Sequence, residues 1–241
     1  EAVFDEHEQL LSSLISEKCD AHTALEKIRT YAFAFLEADT DGNYDLLYDQ
    51  IVSLGEILST KIISAFLKDQ GMKNDWLDAR KLIHTDNNYR AASINWDLTQ
   101  QRVVSAWEWK KSDIVVSQGF IGGGDHNRMT TLGREGSDFS AAIFAYCLDA
   151  KAVIIWKDVD GVLNADPKYF NNAELLPNIS YREAEELSYY GASVIHPKTI
   201  KPLENKEIPL WIKSFIHPES DGTLINTNTS EDSKIASYIF K

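Results

Sequence analysis

Apolar residues recur at intervals of three and four through the N-terminal part of the chain, which is the spacing of one face of an α-helix. This spacing predicts helices over residues 3–15 and 21–37 and a longer helix from about residue 44 to residue 68. Gly55 interrupts the long helix, where a glycine costs about 1 kcal/mol relative to alanine. The interruption marks its surroundings, including Glu56, as a candidate functional position.

The pattern changes near residue 103, where shorter apolar segments are separated by turn residues. Alternating apolar and polar residues predict a strand from Val103 to Trp109, and a more buried strand follows over Asp113–Phe120. The run Gly122–Asp125 predicts a hairpin turn, and a helix is expected from about Ser137 to Leu148.

Helices and apolar strands alternate through the C-terminal part of the chain. Ala152–Trp156 is a continuous apolar run, which is typical of a strand buried on both faces. Ser180–Glu183 is a capping box that opens a helix closed by Gly191. Pro197 can open another helix, and Ile208–Ile212 predicts a further strand. This alternation predicts the α/β class, with an open sheet covered on both sides.

Composition and charge narrow the functional classes. The 241 residues fit one large α/β domain or two small ones, and 44% hydrophobic residues suffice for a sizeable core. The formal charge of −13, with no basic cluster beyond Lys110-Lys111, argues against nucleic acid as a partner. No apolar run approaches ~20 residues, so no membrane partner is expected. The chain has no initiator Met and no basic leader, and we expect it to be a fragment.

Several conspicuous side chains are expected to be structural. Cys19 and Cys147 are far apart in helical patterns, which fits a reducing cytosol rather than a disulfide framework, and Cys147 is expected in the core. His196 precedes a helix-opening proline and is expected to make a structural hydrogen bond. Trp107 and Trp109 are expected in the core or an interface, and the protein is expected to be cytoplasmic.

The densest chemical signal lies in Thr130–Ser140. Two glycines bracket Arg134, and Ser137 and Asp138 follow on the first turn of a predicted helix, whose N–H groups suit an anion. Arg134 offers a planar fork for a carboxylate or phosphate, and the helix dipole stabilises Asp138 as an anion that could position a cation. The alternative is an ordinary capped helix after a turn. The segment fits neither the P-loop nor the dinucleotide-binding pattern.

A second candidate site follows the apolar strand, in Lys157–Lys168. Loops at the carboxyl ends of parallel strands are where α/β proteins place ligands. The lysines and aspartates of this segment could bind a nucleotide with Mg²⁺. Asp-Gly and Asp-Pro are also common turn formers, so a plain turn is the alternative.

Five motifs in this order and spacing resemble the aspartate kinase family over residues 44–225. They are Ser53–Glu56, Gln118–Gly122, Thr131–Asp138, Asp158–Gly161 and Gly191–Thr199, followed by Gly222–Ile225. The joint pattern separates aspartate kinases from relatives that act on glutamate, carbamate or nucleoside monophosphates.

The resemblance implies the amino-acid-kinase fold, an α/β/α sandwich with a mostly parallel central sheet. It assigns residues 1–225 to the catalytic domain, with residues 1–118 mainly binding the amino acid and residues 119–225 mainly binding ATP. Residues 226–241 would begin a linker or regulatory segment. The implied reaction transfers the γ-phosphoryl group of MgATP to the side-chain carboxylate of L-aspartate, giving 4-phospho-L-aspartate, the first step toward lysine, threonine and methionine.

The resemblance also assigns roles to individual positions. Glu56 would pair with the substrate ammonium, Arg134 with Gly136 and Ser137 would hold the α-carboxylate, and Asp138 would organise phosphoryl transfer. The positions that match the ATP site are Lys157, Asp158, Leu163, Lys168, Ser193 and Val194. The cofactors implied are ATP and Mg²⁺, and no protein metal ligand is assigned.

The chain departs from the family pattern in three ways. It begins after the family's Lys-Phe-Gly-Gly segment, whose lysine meets the transferring phosphate, so the chain alone is expected to fold poorly or to be nearly inactive. Ser193 stands where many members have lysine, and Lys168 stands where many have arginine. The chain also stops where ACT domains or a fused homoserine dehydrogenase would begin. We expect a homo-oligomer, and the open alternatives are a catalytically silent binding fragment and a sister carboxylate kinase.

Overall fold

The computed structural model describes residues 2–15, 19–37, 42–108, 110–165, 168, 170, 172–189 and 194–227. Two compact units divide the chain, one of residues 1–137 and one of residues 138–241. The division falls C-terminal to the predicted boundary between functional halves at residue 118, and the roles of those halves stay a prediction.

Helices and strands alternate along the described residues, which confirms the α/β class. The helices are α1 (Ala2–Leu14), α2 (Asp20–Glu37), α3 (Tyr44–Asp69), α4 (Ala79–Leu82), α5 (Trp96–Glu108), α6 (Gly136–Leu148), α7 (Tyr181–Tyr189) and α8 (Pro197–Asn205). The strands are β1 (Asn74–Leu77), β2 (Ile114–Ser117), β3 (Ile121–Gly123), β4 (Met129–Thr131), β5 (Val153–Lys157), β6 (Asn178–Ser180), β7 (Leu210–Ser214) and β8 (Thr223–Asn226).

In the first unit, α3 packs against α2 and against the strands β1, β2 and β4. Strands β1 and β2 form a parallel pair, while β3 and β4 form an antiparallel hairpin with a 3₁₀ turn at Asp125–Asn127. The predicted hairpin is therefore present, but Gly122 and Gly123 belong to β3 and the turn lies beyond them. A cluster of buried apolar residues from α1, α2 and α3, including Leu25 and Leu58, forms one core.

In the second unit, four strands form one sheet in the order β5-β7-β8-β6. The pairs β5–β7 and β6–β8 are parallel, and β7–β8 is antiparallel. The sheet and helices α6, α7 and α8 enclose a core that includes Ala142, Leu203 and Ile212, all fully buried. The predicted helices opened by Ser180 and Pro197 are present, and Gly191 lies outside the described residues.

The strand predicted at residues 103–109 is wrong, because residues 96–108 form helix α5. The Asn95 side chain accepts a hydrogen bond from the Leu98 amide at 3.1 Å, which is an N-cap that starts the helix. Thr99 and Val103 are buried at helical spacing, so packing outweighs the strand preference of the valines and tryptophan. Trp107 is partly exposed on this helix, and Trp109 lies outside the described residues.

Strand β5 matches the predicted apolar strand in position but is buried on one face only. Val153 and Ile155 are buried, whereas Ile154 is 51% exposed and Trp156 is 48% exposed. Among the described strands β5 lies at an edge of its sheet, with β7 as its neighbour. A continuous apolar sequence therefore does not by itself establish burial on both faces.

Helix α3 is the one described helix with the length and mean hydropathy of a membrane span. Its polar residues Asp49, Gln50 and Thr60 are buried and hydrogen-bonded to other elements of the first unit. Buried polar groups with protein partners are typical of a helix in a protein core. Packing within the first unit therefore accounts for the apolar character of α3.

Two polar side chains of α3 satisfy the backbone of β4. Asp49 accepts hydrogen bonds from the Thr131 amide and the Thr131 hydroxyl, both at 2.8 Å, and from the Arg90 amide at 3.0 Å. Gln50 donates to the Met129 carbonyl at 2.7 Å and accepts from the Met129 amide at 3.1 Å. Since β4 has only β3 as a described strand neighbour, these side chains supply the hydrogen bonds that a further strand would supply.

We predict that Asp49→Ala destabilises the fold by roughly 3 kcal/mol or more, because it leaves buried N–H donors unpaired at about 1–3 kcal/mol each. The measurement is the free energy of unfolding from urea denaturation. Asp45→Ala is the matched control on the same helix, since Asp45 makes an exposed ion pair with Arg90 at 3.2 Å. The control should lose less than about 1 kcal/mol. Equal losses in the two variants would contradict the structural role of Asp49.

Candidate functional site

The loop between β4 and α6 presents Arg134 in a fixed conformation. Gly133 has a φ of +81°, and a Cβ at this position would lie 3.1 Å from the Arg90 carbonyl oxygen. A Cβ at Gly136 would lie 2.7 Å from Cδ2 of Phe120, so only glycine permits this approach. The two glycines that bracket Arg134 are therefore required by the backbone path and by packing.

A cavity of about 390 Å³ opens beside this loop in the first unit. It is lined by Tyr48, Arg90, Phe120, Thr131, Gly133, Arg134, Glu135, Gly136 and Ser137. Three positions predicted to hold the substrate carboxylate, Arg134, Gly136 and Ser137, thus lie around one cavity. Two guanidinium groups and several hydroxyl groups in one small cavity suit a ligand that carries carboxylates.

Glu56 does not line this cavity but lies on the same helical face as Asp49, seven residues along α3. This spacing is about 10 Å along the helix axis. Burial raises the pKa of the Glu56 carboxyl above its usual range. Among the described residues no side chain pairs with the carboxylate, and a Cβ at Gly55 would meet no atom within 4 Å. Its role as the ammonium partner stays a prediction.

Sequence reasoning missed Arg90, Tyr48 and Glu135 as cavity residues. Arg90 donates to Asp45 at 3.2 Å, and its guanidinium lies 4.9 Å from the centre of the Tyr48 ring. These contacts join helix α3 to a loop about forty residues away, a distance that periodicity does not reveal. An arginine within the polar loop of residues 86–93 was the available signal.

In the second unit, Lys157 and Asp138 form a partly buried ion pair. The Lys157 Nζ atom lies 2.8 Å from Asp138 Oδ2, and the two side chains are 20% and 15% exposed. Lys157 is the last residue of β5, and Asp138 is in the first turn of α6. The geometry is that of an ion contact rather than an aligned hydrogen bond, since Oδ2 has no hydrogen-bond partner among the described residues. The structure thus joins one residue from each of the two predicted sites.

The loop after β5 places the predicted nucleotide residues differently. Asp158 is exposed immediately after the strand. Asp160 is engaged instead, with its Oδ1 atom 2.8 Å from Nδ1 of His217. Leu163 is half-buried and forms an isolated bridge with Leu175.

The remaining predicted ATP positions are dispersed. Lys168 is exposed, and Val194 packs against the core of the second unit. Ser193 lies outside the described residues. Nothing in these contacts tests the nucleotide roles, which stay predictions.

Two conspicuous side chains have the structural roles that were predicted. His196 is the N-cap of α8, and its Nδ1 atom accepts a hydrogen bond from the Lys198 amide at 3.1 Å. Cys147 is buried, and burial raises the pKa of its thiol to about 11. A thiol with so high a pKa is a core residue rather than a nucleophile.

No group of three or more His, Cys, Asp or Glu side chains converges as a metal site within the described residues. Mg²⁺ is usually held by one or two carboxylates together with substrate phosphates. The donors of the second unit, Asp138 and the exposed Asp158, fit a metal carried in by a nucleotide.

Comparison with known proteins finds similarity over most of the chain. Residues 5–214 match the Amino acid kinase family. The chain is 40% identical over 183 residues to the bifunctional aspartokinase/homoserine dehydrogenase of Buchnera aphidicola, which covers 75% of this chain and 22% of that protein. It is 33% identical over 206 residues to lysine-sensitive aspartokinase 3 of Escherichia coli, which covers 85% of this chain and 46% of that protein.

Among solved structures, the chain is similar to E. coli aspartokinase III in complex with aspartate and ADP. The TM-score is 0.86 at 29% sequence identity, over 95% of this chain and 52% of that chain. This similarity confirms the predicted amino-acid-kinase-like fold. The chain spans about half the length, or less, of these relatives.

We predict that Glu56→Gln raises the melting temperature at neutral pH. Because the folded pKa is raised above the usual 4.5, the stability that protonated Glu56 contributes is full below pH 4.5 and is lost as pH rises through the folded pKa. The neutral amide escapes this loss, so the gain should shrink as the pH falls.

Thermal melts of both proteins across this pH range make the measurement. Glu26→Gln, an exposed glutamate on α2, is the control and should change the melting temperature little at any pH. A gain in Glu56→Gln that is independent of pH would refute the burial of a charged carboxylate as its cause.

Proposed function

The chain belongs to the amino acid kinase family, and on that basis we propose that it is the catalytic region of an aspartate kinase. The proposed reaction transfers the γ-phosphoryl group of MgATP to the side-chain carboxylate of L-aspartate, giving 4-phospho-L-aspartate. The relatives named aspartokinases and the solved complex with aspartate and ADP support this proposal.

The observation that carries the proposal is the small cavity lined by Arg90 and Arg134. A dicarboxylic amino acid needs cations for its carboxylates, and charge-assisted bonds from a guanidinium fork supply affinity and orientation together. In the proposed complex, Arg134 holds the α-carboxylate, with Ser137 and the Gly136 amide close to it. Glu56, half-buried and without a partner among the described side chains, binds the ammonium group.

Phosphoryl transfer is chiefly a matter of positioning and charge neutralisation. We propose that Lys157, oriented by Asp138, neutralises charge on the phosphates, and that Asp158, Leu163, Lys168, Ser193 and Val194 contribute to the nucleotide site. Mg²⁺ bound with ATP would supply further neutralisation of the phosphate oxygens. Ser137 and Asp138 are consecutive residues in the first turn of α6. The carboxylate ligand and the residue that organises transfer therefore share one backbone segment.

The context of the proposed activity follows the relatives. We propose a cytoplasmic homo-oligomeric enzyme at the start of lysine and threonine biosynthesis. Relatives of this chain are named as bifunctional with homoserine dehydrogenase or as lysine-sensitive, so a fused dehydrogenase or a regulatory domain fits beyond the matched region.

A coupled assay of ADP release tests the proposal directly, using the full-length protein with MgATP. We expect ADP release that depends on L-aspartate and is much weaker with L-glutamate. Trapping the acyl phosphate with hydroxylamine identifies the product. Release that depends on glutamate alone, or no release with either amino acid, would overturn the proposal.

Arg134→Ala should raise the KM for aspartate by roughly 10- to 150-fold, the value of one charge-assisted bond, while ATP binding stays nearly unchanged. Arg134→Lys keeps the charge but not the fork and should recover only part of the loss. Arg182→Ala, at an exposed site on α7, controls for the removal of one positive charge. An unchanged aspartate KM in Arg134→Ala would refute the assignment.

Asp158→Asn should weaken the binding of MgATP measured by calorimetry, with little change in aspartate affinity. The physical reason is that Asp158 is exposed at the carboxyl end of β5, where a ligand can reach it. Asp160→Asn is the matched control in the same loop, because its carboxylate already contacts His217. Normal MgATP affinity in Asp158→Asn would make Asp158 only a turn residue.

A further inference from the structure

A second and larger cavity lies in the first unit, at the tip of the β3–β4 hairpin. It has a volume of about 910 Å³ and shares no lining residue with the cavity around Arg134. Its walls are helix α4, helix α5 and the hairpin tip from Gly123 to Arg128. Ligand pockets commonly have volumes of about 300–1,000 Å³, so the cavity is large enough for a small metabolite.

The cavity concentrates positive charge in a strongly acidic chain. Arg80, Lys81, Arg102 and Arg128 all line it, against the two carboxylates of Asp78 and Asp125. The whole chain has a formal charge of −13, so an excess of cations in one cavity is opposite to the average of the protein. Like charges around a common space repel one another, and a bound anion would remove that repulsion.

Both carboxylates in the cavity already accept hydrogen bonds from neighbouring residues. Asp78 binds Arg80 through two hydrogen bonds, at 2.8 Å to Nε and 2.6 Å to Nη2, which fixes the guanidinium and neutralises it. Asp78 also accepts from the Arg80 amide at the start of α4. Asp125 accepts a hydrogen bond from the Asn87 amide group at 3.2 Å.

The other cations have no acidic partner within the described part of the chain. Arg128 donates to the Tyr89 hydroxyl at 3.4 Å, and no described carboxylate pairs with Lys81 or Arg102. These three side chains are therefore available to a ligand. Guanidinium groups bind phosphate and carboxylate oxygens in bidentate geometry, and a lysine adds a point charge.

The wall between these cations is tightly built. A Cβ at Gly123 would lie 2.1 Å from the Arg80 carbonyl oxygen, so the hairpin packs directly on α4. The Gly123 amide donates to the Ile83 carbonyl at 2.9 Å, and the Gly123 carbonyl accepts from the Thr85 amide at 3.1 Å. Such a wall fixes the backbone of α4 against the backbone of the hairpin in the absence of a ligand.

We propose that this cavity is a binding site for a small, multiply charged anion that carries phosphate or carboxylate groups. Lys81, Arg102 and Arg128 supply the charge, while the Asp78–Arg80 pair forms part of the wall. The site is separate from the proposed aspartate site and does not depend on the proposed reaction. Its position at one end of the hairpin leaves the Arg134 loop, at the other end, free for its own ligand.

Calorimetry on the full-length protein tests the proposal with tripolyphosphate and citrate as probes. We expect binding of at least one probe, with an affinity that falls as the salt concentration rises. The double variant Lys81→Gln/Arg102→Gln should bind at least about 10-fold more weakly, since each charge-assisted bond is worth roughly 10- to 150-fold. A preference for tripolyphosphate identifies a phosphorylated ligand, and a preference for citrate identifies a polycarboxylate.

The double variant Lys111→Gln/Arg182→Gln removes the same charge from exposed positions outside the cavity and should bind like the unmodified protein. Melting temperatures and the two single substitutions, Lys81→Gln and Arg102→Gln, separate loss of binding from loss of folding. No binding of either probe at millimolar concentration would overturn the proposal. Binding that the two double variants weaken equally, or that neither weakens, would place the anion elsewhere and overturn it as well.

Discussion

The carboxylate of Asp49 is the contact on which the arrangement of the first unit depends. It is fully buried and accepts hydrogen bonds from Thr131 in β4 and from the amide of Arg90 in a separate loop. Both partners line the same cavity, so one side chain of α3 sets the position of two of its walls. Arg134 follows Thr131 by three residues, so the contact between Asp49 and Thr131 also constrains the position of Arg134.

Ion pairs orient several of the cations in the protein. The chain is acidic overall, and several of its cations are each held by a specific carboxylate: Arg80 by Asp78, Lys157 by Asp138, and Arg90 by Asp45. An oriented cation loses less conformational freedom when a ligand arrives, which is one source of binding affinity. Glu56 shows the opposite arrangement. Its carboxyl is half-buried without a described partner, and this burial raises the free energy of the charged form.

The sequence was sufficient for features that depend on local spacing. The long periodic helices, the capping box at Ser180 and the helix opened by Pro197 were predicted because their signals lie within a few adjacent residues. The helix at residues 96–108 was missed because a valine pair and a tryptophan favour a strand, while the decisive burial of Thr99 and Val103 comes from tertiary packing. The motif around Arg134 was recognised from sequence, but Arg90 was not. The contact that places Arg90 is the hydrogen bond from its amide to Asp49, which links residues far apart in the chain and which no local pattern encodes.

The backbone at Glu135 carries a conformational cost. Its φ is +53°, a left-handed conformation that costs a residue with a side chain about 1–2 kcal/mol, and its Oε2 atom is buried without a described hydrogen-bond partner. Glycine adopts this conformation without that penalty. A laboratory selection for heat resistance alone would therefore be expected to replace Glu135 early, whereas a selection that also demands function would reveal whether the carboxylate is worth retaining. Because Glu135 lines the cavity around Arg134, comparing the two selections would separate the stability cost of this residue from a requirement for its side chain at the cavity.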